Sequence, residues 1–539
     1  MTSLWGSKPK SPRPQANGDN VHSDENGHPS PRTRVDHRED PDERTSLLRG
    51  GGEGGGPGYL NPDDPAVSPY NLWSVRALRI ITGVLLIISF IWWIVLLVSI
   101  FVSPPMMNSR GSGFFPFSFT TLTVGNLLIA LIFFAVPSRP ITIWGLILSV
   151  FLAVDMFVIL GVPRLRIEEG WVGIASVIWA TLIGLYLIVQ NRAVTAGKRS
   201  EEERLTGREE TRRPLKEWLA VLAATIIMGV MAIVAILLTA TLILRARDAT
   251  LPPEGKRYYV DGDKYQVHLA CVGNTTNDKS SHRQPTVLLE GGEHPVEDSF
   301  RNWVQDAYGN GTISRYCYWD PPGFGWSDNA PSPHSAGMSA DALSDALVAA
   351  EEEGPWIVVA AGSGAIRSRI FASRHVREVK GIFLVDALHE DYLPSLARSN
   401  RGFLLWLRGI LSPLGLDRLA GAIFKGRSRE DRVYGRSAYQ GGKVIKSKLQ
   451  ENLVANSLTA GELSSAQNIQ SPDTPLVVVS SGKQVKKSEE WAQKQEDLTK
   501  VTDNLVAWDV VKDAPHEVWK TFNGRRVLEK RLGQLVKKG

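Results

Sequence analysis

Ser363 is the residue whose setting most invites chemistry. It lies in Ala361-Gly362-Ser363-Gly364-Ala365, a Ser whose neighbours are all small. A serine hydroxyl is a weak nucleophile until a histidine takes its proton and a carboxylate orients that histidine. His516 is the candidate base, and Asp386, Glu390 and Asp391 are the candidate acids. Gly292, in Glu290-Gly291-Gly292, and Gly364 supply backbone N–H groups that could hold an oxyanion. Such a set would hydrolyse esters. No histidine or cysteine falls in a metal-ligand spacing, and neither metal nor cofactor is expected.

These residues need a scaffold. From about residue 257 short apolar strands alternate with helical stretches: Tyr265–Cys271, Thr286–Leu289, Arg315–Trp319, Trp356–Ala360, Gly381–Val385, Leu476–Ser480 and Leu505–Val510. Alternation of this kind predicts a mainly parallel sheet with helices on both faces. Residues 395–470 interrupt the sheet as an apolar, then basic, helical cap, from Phe403-Leu404-Leu405-Trp406-Leu407 to Lys448. The cap suits a lid over an apolar pocket or a helix on a bilayer surface.

The N-terminal half is of another kind. The 539-residue chain is 43% hydrophobic on average, but its apolar residues are concentrated in residues 77–244. A helix crossing the ~30 Å hydrocarbon core needs about 20 apolar residues. Five stretches meet that length: Ile80–Val102, Phe117–Val136, Ile141–Val162, Trp171–Val189 and Trp218–Leu244. The transmembrane region is thus residues 73–247. Asp155 and Asn126 fall inside spans, which also raises the possibility of transport.

Basic residues orient the bundle. Arg192, Lys198, Arg199, Arg204, Arg208, Arg212, Arg213 and Lys216 crowd the fourth connection, and Arg76 and Arg79 flank the first span. Both sides are therefore expected to be cytosolic. Five crossings put the C-terminal domain, residues 257–535, in a lumen. The sequons at Asn274 and Asn310 and the only two cysteines, Cys271 and Cys317, fit an oxidising, glycosylating compartment.

Residues 1–72 can bury little apolar surface and are expected to be disordered. Glu43-Arg44-Thr45-Ser46-Leu47-Leu48 has the acidic dileucine form that resembles signals read by sorting adaptors. The signal residues are Glu43, Leu47 and Leu48. A net charge of +5 gives no reason to expect nucleic acid.

The C-terminal half resembles the α/β-hydrolase superfamily. Glu290-Gly291-Gly292 looks like its oxyanion-side loop, and Asp320-Pro321-Pro322-Gly323-Phe324-Gly325-Trp326-Ser327 is similar to its D-x-x-G-x-G-x-S turn. Trp356–Ala372 resembles the strand, nucleophile elbow and following helix; Leu384-Val385-Asp386 matches the next strand, and His516 the catalytic histidine. The resemblance implies that the strands bearing Cys271 and Cys317 are neighbours, so that a disulfide is conceivable.

It also exposes a departure. The family's elbow aligns without a gap only if Gly362 takes the nucleophile position, with Gly364, Arg369 and Asp386 in register. Gly has no side chain, so the implied protein is degenerate and binds a lipid or a partner. A one-residue shift restores Ser363, and with it an esterase or lipase acting on lipid-like substrates at a membrane. The acid's usual place after Leu476–Ser480 holds no carboxylate, which leaves Asp386, Glu390 or Asp391 one strand earlier. The whole chain resembles a fungal group of multi-pass membrane proteins with a hydrolase-like C-terminus. The sorting motif favours a vacuolar or endomembrane location, and some members' label points instead to mitochondria.

Overall fold

The computed structural model describes residues 72–538, except 108, 135, 207–214 and 274–283. The sorting motif and Asn274 lie outside the described residues.

Five helices are long and apolar enough to cross a membrane: α1 (Trp73–Phe101), α2 (Phe114–Ile132), α3 (Arg139–Gly161), α4 (Pro163–Thr206) and α5 (Leu215–Asp248). At ~1.5 Å per residue, the 29 residues of α1 reach about 43 Å, beyond the hydrocarbon core. Proline marks the starts: Pro140 stands in the first turn of α3, and Pro163 opens α4. There the missing N–H costs nothing, because no acceptor lies within the helix. Gly170, at φ 61° and ψ −168°, breaks α4 into a short helix and the span that follows.

Apolar side chains such as Ile80, Ile87, Ile91 and Val98 stay exposed on α1, as a lipid-facing surface requires. Polar groups turn inward. Thr82 binds Gln190 at 3.0 Å, Trp179 donates to Ser89 at 2.9 Å, and Asp155 is fully buried.

After α5 comes an eight-stranded sheet: β1 (Lys256–Val260), β2 (Tyr265–Val272), β3 (Thr286–Glu290), β4 (Tyr316–Asp320), β5 (Trp356–Ala361), β6 (Val379–Val385), β7 (Leu476–Ser481) and β8 (Leu505–Val511). Its order is β1-β2-β4-β3-β5-β6-β7-β8. β2 runs antiparallel to β1 and β4, and the other neighbours pair parallel. This is the α/β-hydrolase fold. The edge strand β1 is an addition to the seven strands read from the sequence. Its Lys-Arg-Tyr-Tyr-Val lacks a continuous apolar run because only Val260 is buried.

Helices α6 (Phe300–Gly309), α7 (Ala336–Ala349) and α8 (Gly364–Arg374) connect the strands up to β6. The cap holds α9 (Leu393–Leu396), α10 (Ser399–Leu411), α11 (Leu416–Phe424), α12 (Arg429–Val433), α13 (Gly442–Val454) and α14 (Ala460–Ile469). Then come α15 (Gly482–Lys487), α16 (Glu489–Leu498) and α17 (Phe522–Lys538). One core layer packs Val358, Leu384 and Val478 of the sheet with Ile370 of α8 and Leu343 of α7. The opposite layer packs Val359, Phe383 and Val479 with Trp303 of α6 and Leu528 and Leu532 of α17. Alternate residues of β5, β6 and β7 thus enter opposite layers, which is why these strands read as unbroken apolar runs.

The globular domain sits on the span ends. Lys446 of α13 donates to the Ile100 carbonyl of α1, Gly409 of α10 packs on Phe114 of α2, and Arg432 of α12 grips Asp248 of α5 at 2.6 Å. Phe403, Leu404, Leu407 and Leu411 of α10 remain exposed.

Candidate functional site

β5 ends at Ala361, and the chain turns sharply into α8. The residue at the tip is Gly362, with φ +49°; Ser363 already has helical angles, φ −68° and ψ −19°, and directly precedes α8. Strand, left-handed residue, helix is the geometry of a nucleophile elbow, and Gly362 stands at its tip. The flanking positions must be small: a Cβ on Gly364 would strike the Gly291 carbonyl.

His516 follows β8. Its Nδ1 lies 2.6 Å from Asp386 Oδ2, and its Nε2 lies 3.3 Å from Glu293 Oε2. Both ring nitrogens therefore face carboxylates, and the ring does not turn to Ser363. Asp386 ends β6 at φ +41° and is fully buried. Its Oδ1 accepts from the Ser481 amide at 2.9 Å and from Trp491 Nε1 at 3.1 Å, which fixes the face it presents to His516. Of the three candidate acids, Asp386 is the one the fold brings to the histidine.

Glu390 is not an orienting acid. A 3-10 turn over Glu390–Tyr392 carries it beyond the end of β6, where it pairs with Arg369 at 2.6 Å and also accepts from Gln467. Asp391 pairs with Lys494 at 2.5 Å.

Glu293 is the residue that sequence reasoning missed, although it directly follows the glycine pair of the oxyanion-side loop. Its Oε1 accepts from the Ser363 amide at 3.2 Å, and its own amide also supports the carboxylate. The two amides that converge are therefore those of Ser363 and Glu293, in place of Gly364 and Gly292. Each is one residue away from expectation; for Ser363 the reason is that the elbow tip is Gly362. Gly292 instead allows a close approach, since a Cβ there would lie 2.7 Å from the Ala361 carbonyl.

The electrostatics follow from this geometry. Burial works against charging His516, but its hydrogen bonds and attraction to Asp386 and Glu293 prevail and push its pKa up to about 10. For Glu293, desolvation pushes upward, and the His516 contact with the two amides brings the pKa down to about 2. Near neutral pH His516 is therefore an imidazolium and Glu293 a carboxylate.

A cavity of about 150 Å³ opens beside Glu293 and Ser363, with Ile366, Leu388, Leu393 and Leu396 on its apolar side and Arg401 and Lys448 from the cap. At ~30 Å³ per water it holds a few waters or a short chain.

Elsewhere, β2 and β4 place Cys271 opposite Cys317, and the two form a disulfide. Asn310 is exposed, its amide 2.8 Å from Glu529. His268, Glu297 and Asp320 each bring one ligand atom within 4.8 Å of the others, a cluster that no sequence spacing announces. Burial, then the Asp320 charge, raises the Glu297 pKa well above the usual range. Asp320 Oδ2 lies 2.9 Å from His268 Nδ1, and both side-chain oxygens of Glu297 are buried without a hydrogen-bond partner.

Fold and site define a membrane protein with an α/β-hydrolase domain whose elbow tip is glycine. Residues 43–271 match a family model described as a region of unknown function, DUF2417. An uncharacterised protein of Schizosaccharomyces pombe is 35% identical over 507 residues, covering 88% of this chain and 93% of that one. The chain belongs to this fungal family. It is also 29% identical over 325 residues to an uncharacterised vacuolar membrane protein of Saccharomyces cerevisiae, spanning 52% of this chain and half of that protein. Among solved structures, an α/β-hydrolase enzyme from a Medee basin deep-sea metagenome library aligns with TM-score 0.39 and 9% identity, over 53% of this chain and 98% of that one.

Proposed function

We propose that this is a vacuolar-membrane protein whose hydrolase domain has given up serine-hydrolase chemistry and binds a lipid-derived ligand. The observation that carries the reading is Gly362 at the elbow tip with the Glu293 carboxylate beside it. A Cβ on Gly362 would lie 2.5 Å from Glu293 Oε2, so the acid fills the space a nucleophilic side chain would use. The carboxylate takes the Ser363 and Glu293 amides and the imidazolium, the partners that stabilise an oxyanion in an active hydrolase. His516 has no free lone pair to accept a proton from a nucleophile.

A ligand with a carboxylate or carbonyl head could displace Glu293 and extend an apolar chain along Ile366, Leu388 and Leu393. The name of the budding-yeast relative and the five apolar helices support the vacuolar membrane. The disulfide and the basic fourth connection support a lumenal C-terminal domain.

The second reading, an active esterase with Ser363 as nucleophile, draws on one observation: Ser363 lines the cavity. The test is labelling of the detergent-solubilised full chain with a fluorophosphonate probe, beside Ser363→Ala and His516→Ala. We expect no labelling of folded wild type. Labelling that Ser363→Ala abolishes would overturn the proposal and establish the esterase.

A further inference from the structure

A larger cavity, about 260 Å³, lies where the spans meet the cap, apart from the Gly362 site. Its wall carries Arg164, Arg245, Arg257, Arg418, Arg432 and Lys443, against only two carboxylates, Glu168 and Asp248. Both acids are already engaged. Glu168 holds Arg164 at 2.9 Å and Arg245 at 2.8 Å, and Asp248 holds Arg432 at 2.6 Å and Arg418 at 3.2 Å. Two further acids reach in from outside the lining, Asp328 to Arg164 at 2.7 Å and Glu169 to Arg245 at 2.8 Å. Six cations thus face four carboxylates, an excess of two positive charges in a confined site.

The excess is visible in particular atoms. Arg257 makes no ion pair or hydrogen bond with a side chain among the described residues. Arg418 Nε and Thr241 Oγ1 are buried without a hydrogen-bond partner, and both residues line the cavity. Lys443 comes no nearer than 3.9 Å to Glu168. Burial lowers the pKa of Arg257, Arg418 and Lys443 alike, Arg418 to about 10, and for Arg257 the nearby Arg164 adds to it. Half-buried cations with incomplete pairing cost free energy that an anion would recover.

Position adds the chemistry of the ligand. Phe115, Leu165 and Thr241 come from the domain-side ends of α2, α4 and α5, and exposed Thr250 and Pro252 form part of the rim. The site therefore stands at the domain-side ends of the spans, with their apolar surface below. Arginine forks fit phosphate oxygens bidentately, and a phosphomonoester carries about −1.5 to −2 charges at neutral pH, the size of the excess.

We infer that this junction cavity binds a phosphate-bearing anion, a phosphomonoester headgroup of a membrane lipid. Such a ligand would bridge α4, α5, β1 and the cap and tie the globular domain to the bilayer.

The test is native mass spectrometry of the full chain in detergent, titrated with dioctanoyl phosphatidic acid, dioctanoyl phosphatidylcholine or inorganic phosphate. We expect one equivalent of phosphatidic acid to bind in preference to phosphatidylcholine. Affinity should fall at least tenfold in Arg257→Gln and remain unchanged in Arg526→Gln on α17. Arg257 has no side-chain partner to lose, so its replacement leaves the ion-pair network intact. Competition by inorganic phosphate at equal concentration would identify a soluble phosphate as the source and retain the anion site. Equal binding of the two lipids with no phosphate binding, or equal affinity in Arg257→Gln, would overturn the inference.

Discussion

The Glu293 carboxylate and the missing side chain of Gly362 claim one space: a Cβ on Gly362 would sit 2.5 Å from Oε2 and 2.9 Å from Oε1 of Glu293. Glu293, from the loop after β3, thus occupies the space beside the turn between β5 and α8, and His516 Nε2 lies 3.3 Å from its Oε2.

This relationship sets the first prediction. If the elbow backbone is intact, Gly362→Ser alone should label weakly with a fluorophosphonate, because Glu293 still takes His516 Nε2. Gly362→Ser with Glu293→Ala should label strongly, and His516→Ala should abolish it. An unlabelled but folded double variant would mean that the turn no longer has elbow geometry.

The second concerns pH. The His516 pKa rises from 6.5 to about 10, so its contribution to stability is complete below pH 6.5 and is lost as pH rises through 10. The Glu293 pKa falls from 4.5 to about 2, so its contribution is complete above pH 4.5 and is lost as pH falls through 2. Asp386 and Glu293 together raise His516, and the Glu293–His516 contact contributes to both shifts. The melting temperature of wild type minus that of Glu293→Gln should therefore be greatest between pH 4.5 and 6.5 and shrink toward pH 10. A difference that grows with pH would contradict the pairing.

Asp386 is the anchor. It is fully buried and accepts from His516, Ser481 and Trp491. Asp386→Ala strips the partner from the half-buried His516 and two donors and should lower the melting temperature markedly. Asp386→Asn should cost less, because Asn keeps one acceptor oxygen and tolerates positive φ.

Sidedness can be read chemically. With the domain in a lumen, Asn310 should carry glycan, and glycosidase treatment should shift the wild type by one step more than Asn310→Gln. Maleimide should label the Cys271–Cys317 pair only after reduction. Thiols free before reduction would contradict the disulfide and, with it, the oxidising compartment.

By itself the sequence determined what depends on local pattern. Five apolar runs of about the length a bilayer core requires, with Pro104, Pro137, Pro140 and Pro163 in the connections or at helix starts, could only be buried helices or spans. Unbroken apolar strands such as Trp356–Ala361 and Leu476–Ser481 marked a sheet covered on both faces. A glycine at the tip of the turn after Trp356–Ala361 also suits a left-handed residue, and Gly362 stands at φ +49°. What only the tertiary structure decided depends on meetings between distant segments. Glu293 and His516 are 223 positions apart, and no local pattern distinguishes a loop glutamate that reaches a histidine from one that points to water. The same holds for the choice of Asp386 over Glu390, which turned on a single 3-10 turn and on the pull of Arg369. It holds also for the junction cavity, where six cations from α4, α5, β1 and the cap become neighbours only once the cap has closed onto the span ends. Charge–charge energy depends on distance in space and on burial, and folding sets both.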